Sequence, residues 1–207
     1  MHTHIKLCGM MRPADIETAN AQKPDMIGFV FAKKSKRYVS RTQAAALKAA
    51  LDTQIRAVGV FVDEAPENIA ELFDAGVIDI AQLHGSETDA VVARVKALTK
   101  GRCPVIQAVA MGTAADVDRA ESSPADVILL DAQGGGSGET FNWKLAKDVS
   151  RPYLLAGGLS PENITEALKT LSPWGVDVSS GIETNGQKDG TKIRRFVDQV
   201  RHYDHMK

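Results

Sequence analysis

Tyr153-Leu154-Leu155-Ala156-Gly157-Gly158-Leu159 and, further along, Gly175-Val176-Asp177-Val178-Ser179-Ser180-Gly181 decide how the rest of the chain is read. Each joins an apolar run, too short for a helix, to a turn made of the smallest residues. The run reads as a buried strand. The turn lets backbone N–H groups close in on an anion. Taken singly, each is an ordinary Gly-containing strand-to-helix turn. Taken as a pair at the ends of consecutive strands, they describe a phosphate cradle, such as the last two loops of a (β/α)8 barrel form.

Working outward, short apolar runs alternate with amphipathic stretches. Strands are expected over 4–8, 26–31, 55–62, 78–83, 105–109, 127–130, 153–155 and 176–178, and helices over 13–21, 41–51, 66–75, 87–98, 114–121, 143–147, 161–170 and 191–203. Ala65-Pro66-Glu67 and Ser160-Pro161-Glu162 place Pro and an acid where helices start. Strict alternation implies an α/β protein with a parallel sheet. An open doubly wound sheet would carry a dinucleotide fingerprint after its first strand. The first turn here, Cys8-Gly9-Met10-Met11-Arg12, is not one. The expectation is a (β/α)8 TIM barrel, with residues 1–207 forming a single domain, since 207 residues suffice for one core and do not require two.

The bulk composition excludes other classes. The chain is 43% hydrophobic and 25% charged with a net charge of −1, so no basic excess calls for nucleic acid. No apolar run reaches the roughly 18–20 residues of a membrane span. The N-terminus shows no signal-peptide core, and Cys8 and Cys103 lack metal-ligand spacing. A cytoplasmic protein with reduced thiols is expected.

In a barrel, chemistry gathers where strands end. Cys8 ends strand 1; it is either a buried small hydrophobe or, as thiolate, a base or nucleophile. Cys103, before Pro104 at the opposite end, is read as structural. Asp131 follows Val127-Ile128-Leu129-Leu130. Partial burial there would let it hold a proton as a general acid; a loop cap is the alternative. It opens the segment from Ala132 to Phe141, rich in Gly, which is expected to fold over a ligand. The loop from Ala32 to Ser40 is cationic, with Lys33, Lys34 and Lys36 read as solvated. Arg37 differs, because a guanidinium fork can grip a carboxylate. Cradle and cation together suggest a ligand with two anionic ends. His84 ends strand 4 and either orients a loop or touches substrate. His2, His4, His202 and His205 form no persuasive metal set, Asp177 is assigned to the Ser-Ser-Gly turn, and Phe141 and Trp143 to packing at helix 6.

At this point the chain resembles the phosphoribosylanthranilate isomerase family of tryptophan biosynthesis along essentially its whole length. The resemblance rests on Lys6-Leu7-Cys8-Gly9-Met10-Met11-Arg12-Pro13, Ile27-Gly28-Phe29-Val30-Phe31, Ser35-Lys36-Arg37-Tyr38-Val39-Ser40, Val58-Gly59-Val60-Phe61-Val62, Gln82-Leu83-His84-Gly85, Leu129-Leu130-Asp131, Thr140-Phe141-Asn142-Trp143 and the two turns quoted above. It implies an Amadori rearrangement of an aminoaldose to an aminoketose without cofactor or metal. Asp131 would protonate the ribose ring oxygen and Cys8 would remove the C2′ proton of the resulting Schiff base. Arg37 would hold the anthranilate carboxylate, and amides of Gly157, Gly158, Ser180 and Gly181 the phosphate. Gln82 and His84 join the substrate-binding set. Asn142 stands where the family commonly has Asp, with little effect expected, since Asn caps a helix about as well.

The implied partner is a small molecule, phosphoribosylanthranilate, with no nucleic acid or membrane. A monomer is expected, with a homodimer as the alternative. Two rival functions remain: a histidine-pathway type of sugar-phosphate isomerase barrel, or a non-catalytic barrel binding a phosphoribosyl ligand. The first would place a carboxylate where Cys8 stands and needs a second phosphate site; the second would tolerate loss of Cys8 or Asp131.

Overall fold

A computed structural model describes residues 2–132 and 143–206, the side chain of Lys144 aside. The expected closure of residues 133–141 over a ligand, the packing of Phe141 and the capping by Asn142 lie outside the described residues.

The strands are β1 (His4–Cys8), β2 (Met26–Val30), β3 (Arg56–Phe61), β4 (Ile80–Leu83), β5 (Val105–Met111), β6 (Val127–Ala132), β7 (Tyr153–Leu155) and β8 (Gly175–Val178). Between and after them run α1 (Pro13–Gln22), α2 (Arg41–Ala49), α3 (Pro66–Asp74), α4 (Asp89–Leu98), α5 (Ala114–Ser122), α6 (Trp143–Ala146), α7 (Ile164–Leu171) and α8 (Gly190–Met206). All eight strands are parallel, and β1 pairs with both β2 and β8, which closes the barrel. A small antiparallel hairpin, β9 (Glu183–Thr184) and β10 (Gln187–Lys188), follows β8.

Alternation along each strand sorts side chains between two cores. Outward residues such as Ile5, Leu7, Val176 and Val178 pack under the helices. Inward residues Met26, Val58, Ile80, Ile106, Leu129 and Leu154 fill the barrel. The same alternation aims Lys6 and Cys8 of β1 inward, along with Gln82, Asp131 and Asp177.

Several boundaries differ from expectation for local reasons. Strand β6 runs on through Asp131 to Ala132, so Asp131 is a buried strand residue rather than the first of a loop. Helix α4 begins at Asp89, because Glu87 turns back to accept the amides of Asp63 and Gly85. Helix α7 begins at Ile164, not Pro161: Asn163 Oδ1 accepts the Ser160 amide and its Nδ2 donates to the Gly158 carbonyl, spending those residues on a turn. The β9–β10 hairpin was not anticipated. Its signal is Asn185-Gly186, both at positive φ (52° and 75°), as a tight hairpin turn requires.

Candidate active site

The C-terminal ends of the strands open into a cavity of about 340 Å³. Cys8, Arg37, Gln82, His84, Asp131, Gly157, Gly158 and Ser180 all line it. Gly181 does not, but it fixes the neighbouring turn: a Cβ there would lie 2.0 Å from the Leu159 carbonyl oxygen, so the β7 and β8 loops meet only because the side chain is missing. Gly157 sits at φ +79°, and a Cβ on it would strike the Ala132 amide nitrogen at 2.7 Å. Among the described residues, the amides of Gly157 and Gly158 donate no hydrogen bond. Asn163 braces this turn through the Gly158 carbonyl, a role the sequence reading missed.

Cys8 forms part of the cavity floor and is 8% exposed. Burial pushes its thiol up, while Lys6 and Lys188 pull the other way. Beside it lies a buried ion pair, Lys6 Nζ to Asp177 Oδ1 at 2.8 Å, with Lys6 wholly enclosed and Asp177 reaching the cavity lining. This corrects the assignment of Asp177 to the Ser-Ser-Gly turn. Asp177 is the register partner of Lys6 across β1 and β8, so both side chains point into the barrel together. Ser179, not Asp177, ties the turn to β1, its hydroxyl donating to the Cys8 carbonyl.

Across the cavity, Gln82 Nε2 stands 2.7 Å from His84 Nδ1, and His84 Nε2 is 3.1 Å from Asp131 Oδ2. With Gln82 as donor, the network assigns the imidazole proton to Nε2, donated to Asp131. Oδ1 of Asp131 accepts the Ala132 amide. His84 therefore orients the carboxylate and also lines the cavity, so the two readings offered for it are not exclusive.

Arg37 is not free. Its Nε and Nη2 donate to the two oxygens of Glu183 at 2.6 and 2.8 Å, a bidentate clamp. Lys188 Nζ donates to the same carboxylate at 2.7 Å and to the Ser179 carbonyl at 2.9 Å. Burial disfavours the Glu183 charge, but the bonds from Arg37 and Lys188 outweigh it and bring its pKa down to about 2. Burial lowers the pKa of Lys188. The hairpin thus delivers two residues that the sequence reading did not single out, and they fix the guanidinium, whose Nη1 has no acceptor among the described residues. Lys33, Lys34 and Lys36 are exposed, as a solvated loop requires.

At the other end of the barrel, His2 Nε2 and His4 Nδ1 both reach Asp25 Oδ1, at 2.6 and 3.2 Å. Oδ2 of Asp25 accepts from the Ile5 amide and Arg201. These bonds tie the chain start to α8 and lie far from the cavity lining. Cys103 is buried there, and burial pushes its thiol up to about 11, which disfavours the thiolate.

A family model described as N-(5'phosphoribosyl)anthranilate (PRA) isomerase matches residues 5–199. The chain belongs to the phosphoribosylanthranilate isomerase family. The N-(5'-phosphoribosyl)anthranilate isomerase of Acetivibrio thermocellus is 43% identical over 213 residues, covering 98% of this chain and 97% of its own. A solved phosphoribosylanthranilate isomerase in complex with reduced 1-(o-carboxyphenylamino)-1-deoxyribulose 5-phosphate is 34% identical with a TM-score of 0.85, over 97% of this chain and 99% of that one. Monomers generated from the dimeric enzyme of Thermotoga maritima match with the same identity, TM-score and coverage. The activity is that of an isomerase of tryptophan biosynthesis, on a TIM barrel. No helix among the described residues is long and apolar enough to cross a membrane.

Proposed function

We propose that Asp131 and Cys8 divide the acid and base work of the Amadori rearrangement between opposite walls of the cavity. The observation that carries this reading is their convergence, from β6 and β1, on one cavity with anion-binding groups at both rims. Asp131, which must take up a proton before each turnover, gives it to the ribose ring oxygen, and the His84 bond aims its carboxyl group. The ring opens to a Schiff base. Cys8 then takes the C2′ proton, whose acidity the Schiff base raises, and the enolamine tautomerises to the ketone. The phosphate is held by the undedicated amides of Gly157 and Gly158 and by the turn of Ser180 and Gly181. The anthranilate carboxylate meets Arg37 Nη1, and the ring lies against Val30, Val60 and Val62, which line the same cavity. No step calls for a cofactor or metal.

The chain is proposed to act as one barrel domain, as a monomer in the cytoplasm. A light-scattering mass of two chains would replace the monomer with the dimeric arrangement of the Thermotoga relative.

The decisive test follows loss of phosphoribosylanthranilate fluorescence, the substrate being made in place from anthranilate and phosphoribosyl pyrophosphate. Rapid loss with wild type and collapse of turnover in both Cys8→Ser and Asp131→Asn is the expected result. Turnover that survives Cys8→Ser removes Cys8 as the base.

A further inference from the structure

The Lys6–Asp177 pair has no part in the steps above, yet it occupies the barrel interior beside Cys8, with Asp177 in the lining of the same cavity. A buried ion pair is poor value as a stabiliser, because desolvating two charges offsets most of their attraction; apolar residues of similar volume do as well or better. The neighbouring interior positions, Met26, Val58 and Leu129, show that this barrel fills space with apolar side chains where nothing else is required. A lysine with no exposed surface therefore asks for a further reason.

We propose that Lys6, held by Asp177, is a positioning residue for the isomerisation: its ammonium balances the negative charge that the Cys8 sulfur carries until it takes the C2′ proton. The proposal rests on Cys8 being the base. The geometry is set by register. Lys6 and Cys8 lie two residues apart on β1 and so share the inward face; Asp177 is opposite Lys6 on β8, and Gly28 is opposite Cys8 on β2. A Cβ built on Gly28 would lie 2.8 Å from Cys8 Sγ and 3.3 Å from Lys6 Nζ, so sulfur and ammonium pack over the same bare α-carbon. Asp177, 2.8 Å from Nζ, stops the ammonium from turning away.

Other charged groups also face this point. Lys188 comes from β10 and Arg37 from the loop after β2, both already bound to Glu183; Asp131 and His84 stand on the facing wall and are bonded to each other. Lys6 is the cation without another ligand-side duty. Burial is the largest influence on the thiol and works against the thiolate; Lys6 is the first of the groups that oppose it. In the step itself the C2′–H bond breaks, an S–H bond forms, and the electron pair moves toward the protonated Schiff-base nitrogen. Lys6 keeps its proton throughout.

The test uses full-length protein in a Cys103→Ser background, so that only Cys8 reports. Lys6→Gln removes the ammonium and keeps a hydrogen-bond donor toward Asp177, whose carboxylate by itself pushes the thiol up and stays in place. Alkylation of Cys8 by iodoacetamide near pH 8 is expected to slow by roughly tenfold or more, its midpoint and the acid limb of kcat/KM both moving at least about one unit to higher pH, with KM little changed. An unmoved alkylation midpoint overturns the proposal, whatever happens to turnover. Should that variant not fold, Lys6→Met is read by the same titration with the same two outcomes. Survival of turnover in Cys8→Ser is a separate result: it would overturn Cys8 as the base, and with it the catalytic part of this proposal, while an upward shift of the midpoint would still establish the Lys6–Cys8 pairing.

Discussion

Two layers of the same barrel interior follow opposite rules. In one, Met26, Val58, Ile80, Ile106, Leu129 and Leu154 meet as an apolar plug. In the other, Gln82 and Asp131 lie two residues further along β4 and β6, and β1 and β8 bring in Cys8 and the Lys6–Asp177 pair. The plug stabilises by removing apolar surface from water, about 1.5–3 kcal/mol for each fully buried side chain. The polar layer contributes little net stability, since each charge there is taken from water and needs a partner. One layer holds the barrel together and the other lines the cavity to which we assign the chemistry, and β6 serves both: Leu129 points into the plug and Asp131, two residues on, into the cavity.

The sharpest way to break the comparison is to change one layer and look for an effect in the other. Asp131→Asn is expected to lower kcat by about 10²- to 10⁴-fold, the range for a lost general acid, with a thermal midpoint close to wild type. Steady-state kinetics beside calorimetry would show this; a large drop in the midpoint would mean that Asp131 also holds the barrel together. Leu129→Ala should do the reverse. A cavity in the plug costs about 2–5 kcal/mol in urea titration, while kcat of the folded fraction stays within a few fold.

Gly181→Ala tests the seam between the cradle loops. The added methyl meets the Leu159 carbonyl, so the loops must part. A loss of about 1–3 kcal/mol is expected, together with a higher KM for the phosphorylated substrate and weaker inhibition by inorganic phosphate. Unchanged phosphate inhibition would separate Gly181 from the cradle.

The smallest effect belongs to Glu183→Gln, which loosens Arg37 and Lys188 and replaces no residue of either layer. KM is expected to rise several-fold with kcat nearly unchanged. The pH dependence has a definite sign. The folded-state pKa is depressed to about 2, so the Glu183 contribution to stability is fully present above the free-carboxylate value and is lost as pH falls toward 2. The difference in thermal midpoint between wild type and variant should therefore be flat above about pH 5 and shrink below about 4.3. A constant difference down to pH 3 would mean that the Arg37–Glu183 clamp does not set it.

Much of this was legible beforehand. The alternation of strands and helices carries the barrel, because hydrophobic periodicity records which face of each element is buried. Strand-end position then picks out Cys8, Asp131 and the Gly turns, since a barrel places its loops at one end. Glu183 and Lys188 were passed over: their hairpin is short, and only Asn185-Gly186 announces it. Glu87 and Asn163 were read as part of helices, because helical propensity does not reveal when a side chain is spent on a turn.

By itself the sequence determined the closed α/β barrel, the end at which its chemistry lies and the residue types available there. These follow from local spacing, which a strand or helix converts directly into a face. Only the tertiary structure decided the pairings. Lys6 finds Asp177, Arg37 finds Glu183 and His84 finds Asp131 across 171, 146 and 47 residues of chain. Such partners are chosen by strand register and barrel closure, and nothing in the spacing of one residue from its neighbours encodes which distant charge will stand opposite it.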